Sequence, residues 1–173
     1  MQPLNVLLVE DTDIEQNDNK RKLEEAGYKV IGAGSTSKAD DSIHKDYRTH
    51  QERPPNHFNI IITDLNMSCA SKKLMPYKKQ SMDGSITGWI WLYYCYLKDN
   101  KISPKWVIIF SEFVTDLEEY MNERCDVKPS PEEKEYYSKY INVVPKKRFA
   151  NDPEYLINAV KKVISHGKVA PHS

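Results

Sequence analysis

Five short apolar runs, separated by segments with helical character, constrain the fold of this chain more than any other feature. Each run has five or six residues and is rich in Val, Ile or aromatic side chains, which is typical of buried strands. The runs are Asn5–Val9, Tyr28–Ala33, Phe58–Thr63, Trp106–Phe110 and Ile141–Pro145. Because strands that alternate with helices need right-handed crossovers, the sequence predicts an α/β fold with a doubly wound, five-stranded parallel sheet and helices on both faces.

The helices between the runs are predicted from capping residues and from apolar spacing. Thr12 or Asp13 can cap the first helix, and Gly27 can follow its end in the left-handed conformation. Ser130, Pro131 and Glu133 stand in the order of a capping box with proline at the first helical position. The expected helices cover about residues 14–26, 36–47, 86–97, 114–121, 130–140 and a last stretch from Asn151 or Asp152 to Gly167.

One domain is expected over residues 1–173, because five strand and helix units use up the whole length. Two stretches exceed what that plan needs. The first is an inserted loop at about 67–87, which is basic and lacks periodicity. The second is an extra helical segment at about 125–140.

Composition excludes several classes of protein. Twenty-five Lys and Arg balance 25 Asp and Glu, so no general attraction to nucleic acid is expected. Three cysteines at wide spacing give no disulfide framework, and the longest apolar run, Trp89–Leu97, is too short to cross a bilayer. No export signal precedes the first strand, and the expected compartment is the cytoplasm.

Polar residues follow four of the five apolar runs, at the edge of the sheet where parallel strands place ligands. Three carboxylates, a hydroxyl and an ammonium group are expected to converge there. They belong to Glu10, Asp11, Asp64, Ser111 and one of the adjacent lysines Lys146 and Lys147. Clustered carboxylates repel unless a cation lies among them, and hard oxygen ligands suit Mg²⁺. A carboxylate beside such an ion can act as a nucleophile toward phosphorus.

At these residues the chain resembles the CheY-like response-regulator receiver domains of two-component signalling. The resemblance runs from Val6 to Ile164 and rests on four segments in order, each at a strand end. They are Leu7–Asp11, Ile61–Met67, Ile108–Ser111 and Lys147–Phe149. The resemblance implies the flavodoxin-like strand order 2-1-3-4-5.

The resemblance also implies a role for each residue of the predicted site. Asp64 would be the phosphorylated aspartate, Ser111 would follow the phosphoryl group, and Lys147 would pair with it, with Lys146 as the alternative lysine. The implied Mg²⁺ ligands are Glu10, Asp11, Asp64 and the carbonyl of Asn66.

A stand-alone response regulator is the function that the resemblance implies. Its Asp64 would receive a phosphoryl group from a histidine kinase or a histidine phosphotransfer protein, with no catalysis beyond its own phosphorylation and dephosphorylation. Its output would be contact with another protein, not identified by the sequence, rather than direct binding of nucleic acid.

Two alternatives remain open at this point. The family's proline and aromatic switch residue are replaced by Arg148 and Val144, and Glu112 follows the switch serine, so a pseudo-receiver that binds partners without being phosphorylated is the first. The second is a haloacid-dehalogenase-like phosphatase, with Asp11 as nucleophile and Asp13 as general acid.

Helix three carries more apolar surface than one buried face requires, mainly from Trp89, Trp91 and five tyrosine or leucine neighbours. The simpler expectation is that this surface is buried inside the fold, and the alternative is that it forms a homodimer interface. Charge is also segregated, since residues 112–135 hold nine acids and three bases. We expect the acidic segment 125–140 to adapt the surface to a partner.

Overall fold

The structure is a computed structural model that describes residues 3–49, 58–68, 72–99, 101–146 and 154–170, without the side chains of 44–49. Its five strands form one parallel sheet in the order β2-β1-β3-β4-β5. The strands are β1 Asn5–Val9, β2 Lys29–Ala33, β3 Ile60–Thr63, β4 Trp106–Ser111 and β5 Ile141–Pro145. The predicted sheet and its strand order are thereby confirmed.

In the described ranges, six α-helices connect and extend the strands. They are α1 Asp13–Glu25, α2 Thr36–Thr49, α3 Thr87–Leu92, α4 Val114–Met121, α5 Pro131–Tyr140 and α6 Tyr155–His166. A π-helical stretch, Tyr93–Leu97, continues α3, so the two together cover the predicted third helix. The stretch predicted as an inserted loop contains two short 3-10 segments, Lys72–Tyr77 and Met82–Gly84.

Alternating side chains of the strands build two apolar cores, one on each face of the sheet. On one face, β-strand residues such as Leu8 and Ile108 pack with Leu23 of α1 and Val160 of α6. On the other, residues such as Ile109 pack with α2, α3 and α4. Helices therefore cover both faces, as predicted.

The local signals at helix ends are borne out at two of the three described positions. Gly27 has φ +92°, and the Ser130 hydroxyl accepts a hydrogen bond from the backbone N–H of Glu133 at 3.2 Å. The side chain of Thr12 makes no capping hydrogen bond. Instead, the acidic residues Asp13 and Glu15 in the first turn of α1 favour the positive end of its dipole. The predicted start of the last helix at Asn151 or Asp152 lies outside the described residues.

No helix in the described part of the chain combines the length and the apolar character that a membrane span requires.

Candidate functional site

The side-chain ammonium of Lys146 joins the carboxyl ends of β1 and β3 to the end of β5. Its Nζ lies 2.5 Å from Oε2 of Glu10, 2.7 Å from Oδ2 of Asp64 and 2.8 Å from Oε2 of Glu15. The lysine side chain is only 10% exposed. Burial acts to lower the pKa of Lys146, but the Asp64 carboxylate and the hydrogen bonds to all three acids outweigh it and raise that pKa. The ammonium is therefore firmly charged.

Glu10 is held as a buried acid directly after β1. Its backbone N–H donates to the carbonyl of Ala33 at 3.1 Å, and the Gln16 amide donates to the Glu10 carbonyl at 2.7 Å. The residue is 2% exposed. Burial raises the pKa of the Glu10 carboxyl, as does the nearby Asp64 charge, while Lys146 opposes both effects.

Asp64 extends β3 by one residue and points its carboxylate into the same space. Its N–H donates to the Val9 carbonyl at 2.9 Å, which fixes it beside the end of β1. The backbone N–H of Leu65 donates to Oδ1 at 2.6 Å, so Lys146 and Leu65 hold the two carboxylate oxygens separately. The residue is 9% exposed. An incoming group would thus meet an oriented carboxylate.

Gly88, in the first turn of α3, lies against the backbone of Asp64. Its N–H donates to the carbonyl of Leu65 at 2.9 Å. A Cβ at this position would sit 1.8 Å from the Asp64 carbonyl oxygen and 2.8 Å from Oγ1 of Thr63. Only glycine allows α3 to approach the end of β3 so closely.

Asp11 lies at the same edge but is exposed, and it does not contact Lys146 through a direct ion pair. Partial burial raises the pKa of its carboxyl, and so does the charge of Asp64, while the N–H of Ser68 lowers it. The Asp11 carboxyl therefore lies near enough to Asp64 to be affected by its charge. Asn66 is exposed two residues after Asp64.

The predicted Mg²⁺ ligands have suitable chemistry, namely three carboxylates and a backbone carbonyl. Within the described ranges, however, no three His, Cys, Asp or Glu side chains are arranged to hold one metal ion. Two of the predicted carboxylates, those of Glu10 and Asp64, are instead paired with the Lys146 ammonium.

Of the remaining predicted residues, Ser111 belongs to the sheet edge and Lys147 lies outside the described residues, as does the whole turn from 147 to 149. Ser111 is fully buried at the end of β4, and its hydroxyl accepts a hydrogen bond from the N–H of Phe113 at 3.2 Å. Among the described residues, Lys146, the alternative lysine, reaches Asp64. Its N–H donates to the Ser111 carbonyl at 2.8 Å, which continues the β4–β5 ladder.

The sequence did not predict the burial of two further carboxylates, those of Asp40 and Glu133. Asp40 of α2 accepts hydrogen bonds from the indole of Trp91 at 2.9 Å and from the hydroxyl of Tyr96. Both aromatic residues are at most 2% exposed. The Trp91 and Tyr96 side chains of helix three are thus buried inside the fold, and they give no support to a homodimer.

Glu133 is the second buried carboxylate, and it anchors the extra helix α5. It accepts hydrogen bonds from Trp89 Nε1 at 2.7 Å, the Tyr94 hydroxyl at 2.7 Å and the Tyr120 hydroxyl at 3.1 Å. Its residue is fully buried, and burial raises the pKa of its carboxyl although the three donors lower it. The capping-box interpretation is therefore right for the Ser130 hydroxyl, whereas the Glu133 side chain turns inward to α3 and α4.

Comparisons with known proteins bear on the fold. No family model matches the sequence, and no curated protein matches it. Among solved structures, the chain is similar to a response regulator receiver protein of Sinorhizobium medicae, with a TM-score of 0.55 and 17% identity over 96% of this chain and 98% of that one.

Two further solved structures are similar to the same degree. One is the N-terminal domain of a response regulator/sensory box/GGDEF protein of Carboxydothermus hydrogenoformans, with a TM-score of 0.53 and 13% identity over 93% of this chain and 94% of that one. The other is the non-phosphorylated HemR receiver domain of Leptospira biflexa, with a TM-score of 0.50 and 15% identity over 98% and 99%. The chain therefore has the fold of the response-regulator receiver domains.

Proposed function

We propose that this chain is a phosphoryl-accepting receiver whose Asp64 takes the group from a phosphohistidine of a kinase or phosphotransfer protein. One observation carries the proposal. A single ammonium, Lys146 Nζ, lies 2.7 Å from Asp64 and 2.5 Å from Glu10 at the carboxyl edge of the sheet. A carboxylate that is oriented by a backbone N–H and paired with a fixed cation has the geometry of an acceptor in phosphoryl transfer.

The chemistry needs few groups. An Asp64 oxygen attacks phosphorus in line, the phosphorus–nitrogen bond breaks, and the histidine imidazole leaves with the bonding electron pair. The product is an acyl phosphate whose dianionic phosphoryl group replaces the single charge of the carboxylate, so the site gains one net negative charge. Lys146 offsets part of this charge, and the buried Ser111 hydroxyl, which now accepts from Phe113, has its own proton left to donate to a phosphoryl oxygen.

Magnesium is part of this proposal. Asp11, Asp64 and the Asn66 carbonyl are the groups that would bind the ion, and Glu10 would join them through Oε1 while its Oε2 stays on Lys146. When bound, the ion supplies positive charge where phosphoryl oxygens gather. The exposed Asp11 leaves that side of the edge open to solvent.

Labelling with a small phosphodonor such as acetyl phosphate tests the assignment. The protein is expected to gain one acid- and base-labile phosphoryl group by intact mass measurement, and Asp64→Asn is expected to lose it. Asp99→Asn is the matched control, because Asp99 is exposed and forms an ion pair only with Lys101 in the described part of the chain. Labelling that persists in Asp64→Asn would refute the acceptor assignment.

The same measurement separates the alternatives. Turnover of a phosphate ester that depends on Asp11 rather than Asp64 would favour the phosphatase, and wild-type protein that neither takes label nor binds Mg²⁺ would favour the pseudo-receiver. Lys146→Met and Lys147→Met distinguish the two lysines. We expect the first to lower the labelling rate by a factor of ten or more and the second to leave it within twofold.

Output is proposed to pass to a partner protein through the surface around α5. The exposed acids Glu132 and Glu135 lie on this helix, whereas Glu133 between them is buried. Because removal of the segment would uncover Trp89 and Tyr120, charge reversal of the exposed acids is a cleaner test than deletion. Loss of partner binding with intact labelling is the expected result.

A further inference from the structure

Glu15, in the first turn of α1, is the third acid on Lys146 and belongs to none of the predicted site groups. Its Oε2 lies 2.8 Å from Lys146 Nζ, and Oδ2 of Asp64 lies 2.7 Å from the same atom. The other two acids are almost fully buried, with side chains 2% and 11% exposed. The Glu15 side chain is 48% exposed.

An ammonium has three N–H donors and no more. Glu10, Asp64 and Glu15 accept one each, so Lys146 has no donor left for a phosphoryl oxygen. Any new bond from Lys146 therefore requires that one present partner be released.

The cost of release differs among the three acids. Freed from Lys146, the buried Glu10 carboxylate would lose its counter-ion in a place that water reaches poorly, which is costly. Asp64 is the acceptor itself and stays beside the group it receives. Glu15 alone is exposed enough for water to replace the lysine, so its release is the least costly.

We infer that Glu15 is a positioning residue that holds Lys146 beside Asp64 in the unphosphorylated protein. On phosphorylation, a phosphoryl oxygen displaces Glu15 from Lys146; this inference rests on the proposed function. Glu15 then competes with the phosphoryl group for Lys146. Its removal is expected to strengthen the binding of a phosphoryl group or of its mimic.

A second role for Glu15 needs to be distinguished. An acid in the first turn of a helix also favours the helix dipole, with no part in phosphoryl binding. Glu15→Asp retains a negative charge in that turn, but its shorter side chain draws the carboxylate away from Lys146. A dipole effect alone would leave Glu15→Asp like the wild type.

The test is beryllofluoride binding to the whole chain at saturating Mg²⁺, followed by ¹⁹F NMR and calorimetry. Glu15→Gln and Glu15→Asp are each expected to bind the mimic at least threefold more tightly than the wild type. Glu24→Gln is the matched control, because Glu24 lies on the same helix and, within the described residues, forms an ion pair only with Lys20. Its affinity is expected to match that of the wild type.

Wild-type affinity in Glu15→Gln, or a rise in Glu24→Gln of the same size, would overturn the inference. So would a rise in Glu15→Gln that is absent from Glu15→Asp, since charge rather than pairing would then be the cause. Failure of the wild type to bind beryllofluoride would instead count against the proposed function, so the two failures are distinguishable.

Discussion

Among single residues, Gly88 has the least room for a side chain. Gly88→Ala would place a methyl group 1.8 Å from the Asp64 carbonyl oxygen, a backbone atom that cannot turn aside. We expect the free energy of unfolding to fall by about 2 kcal/mol or more, because α3 must move off β3. Urea unfolding measures the change.

Gly34→Ala is the matched control for Gly88→Ala. Its new methyl group would meet the side chains of Gln16 and Lys38 at ordinary contact distances of 3.6 and 3.7 Å. The free energy of unfolding should change by no more than about 0.5 kcal/mol. Equal stability of the two variants would show that α3 is not tightly seated on Asp64.

The two adjacent glutamates of α5 are expected to give pH dependences of opposite sign. Burial raises the pKa of Glu133, so its stabilising contribution is full below the unfolded value of about 4.3 and is lost as pH rises through the folded value. Backbone and Ser130 hydrogen bonds lower the pKa of exposed Glu132, so its contribution is present above the unfolded value and is lost as pH falls.

Urea unfolding of Glu133→Gln and Glu132→Gln between pH 4 and pH 8 measures these contributions. The stability of the wild type relative to Glu133→Gln is expected to decline as pH rises, and its stability relative to Glu132→Gln to increase over the acidic part of the range. A wild-type advantage over Glu133→Gln that grows with pH would mean that the buried carboxylate is stabilised in its charged form.

At the level of elements, α3 is held from two sides by carboxylates of other helices. Asp40 of α2 binds Trp91, and Glu133 of α5 binds Trp89. Trp89→Phe removes one donor from the buried Glu133 and is expected to lower the free energy of unfolding by about 2 kcal/mol more than a control of equal size change.

Trp106→Phe provides that control for Trp89→Phe. Trp106 is also buried, but its indole N–H has no hydrogen-bond partner among the described residues. Both changes remove the same atoms, so the difference between their urea-unfolding free energies isolates the hydrogen bond to Glu133. If the two variants lose equal stability, the link between α3 and α5 contributes nothing beyond packing.

Sequence patterns could predict the elements because their signals are local, such as the apolar run of β4 or the cap at Ser130. They could not predict the side-chain bonds between elements. Trp89 and Glu133 are 44 residues apart, and nothing near either residue marks the pair. A glutamate three residues after a serine is also explained locally by the capping box. That local explanation gave no reason to expect the bond from Trp89 to Glu133.

At the scale of the whole molecule, the site shows the same limit. Consecutive residues of an extended strand point to opposite faces, so choosing between Lys146 and Lys147 requires knowing where the β5 ladder ends. The Lys146 N–H bond to Ser111 supplies that information, and no local pattern does. Glu10, Asp11 and Asp64 were predictable from the strand ends, whereas Glu15 and the fully occupied Lys146 ammonium were not.

Lys146 also binds two residues that are distant in sequence, Asp64 at a separation of 82 positions and Glu10 at 136. Its loss is therefore expected to affect the whole fold. Lys146→Met leaves the buried Glu10 and Asp64 carboxylates without their cation, and the free energy of unfolding at neutral pH is expected to fall by about 3 kcal/mol. Lys139→Met is the control, because the only ion pair of Lys139 with a described residue is the exposed one with Glu135.

Mg²⁺ is expected to stabilise Lys146→Met more than the wild type. With the ammonium gone, Glu10, Asp11 and Asp64 repel one another without compensation, and a divalent cation can take the place of the lost charge. Thermal unfolding with and without millimolar Mg²⁺ measures the effect, and Ca²⁺ shows whether it is specific. Equal increases in melting temperature for both proteins would mean that the cation binds away from Lys146, and would separate the metal site from the acceptor.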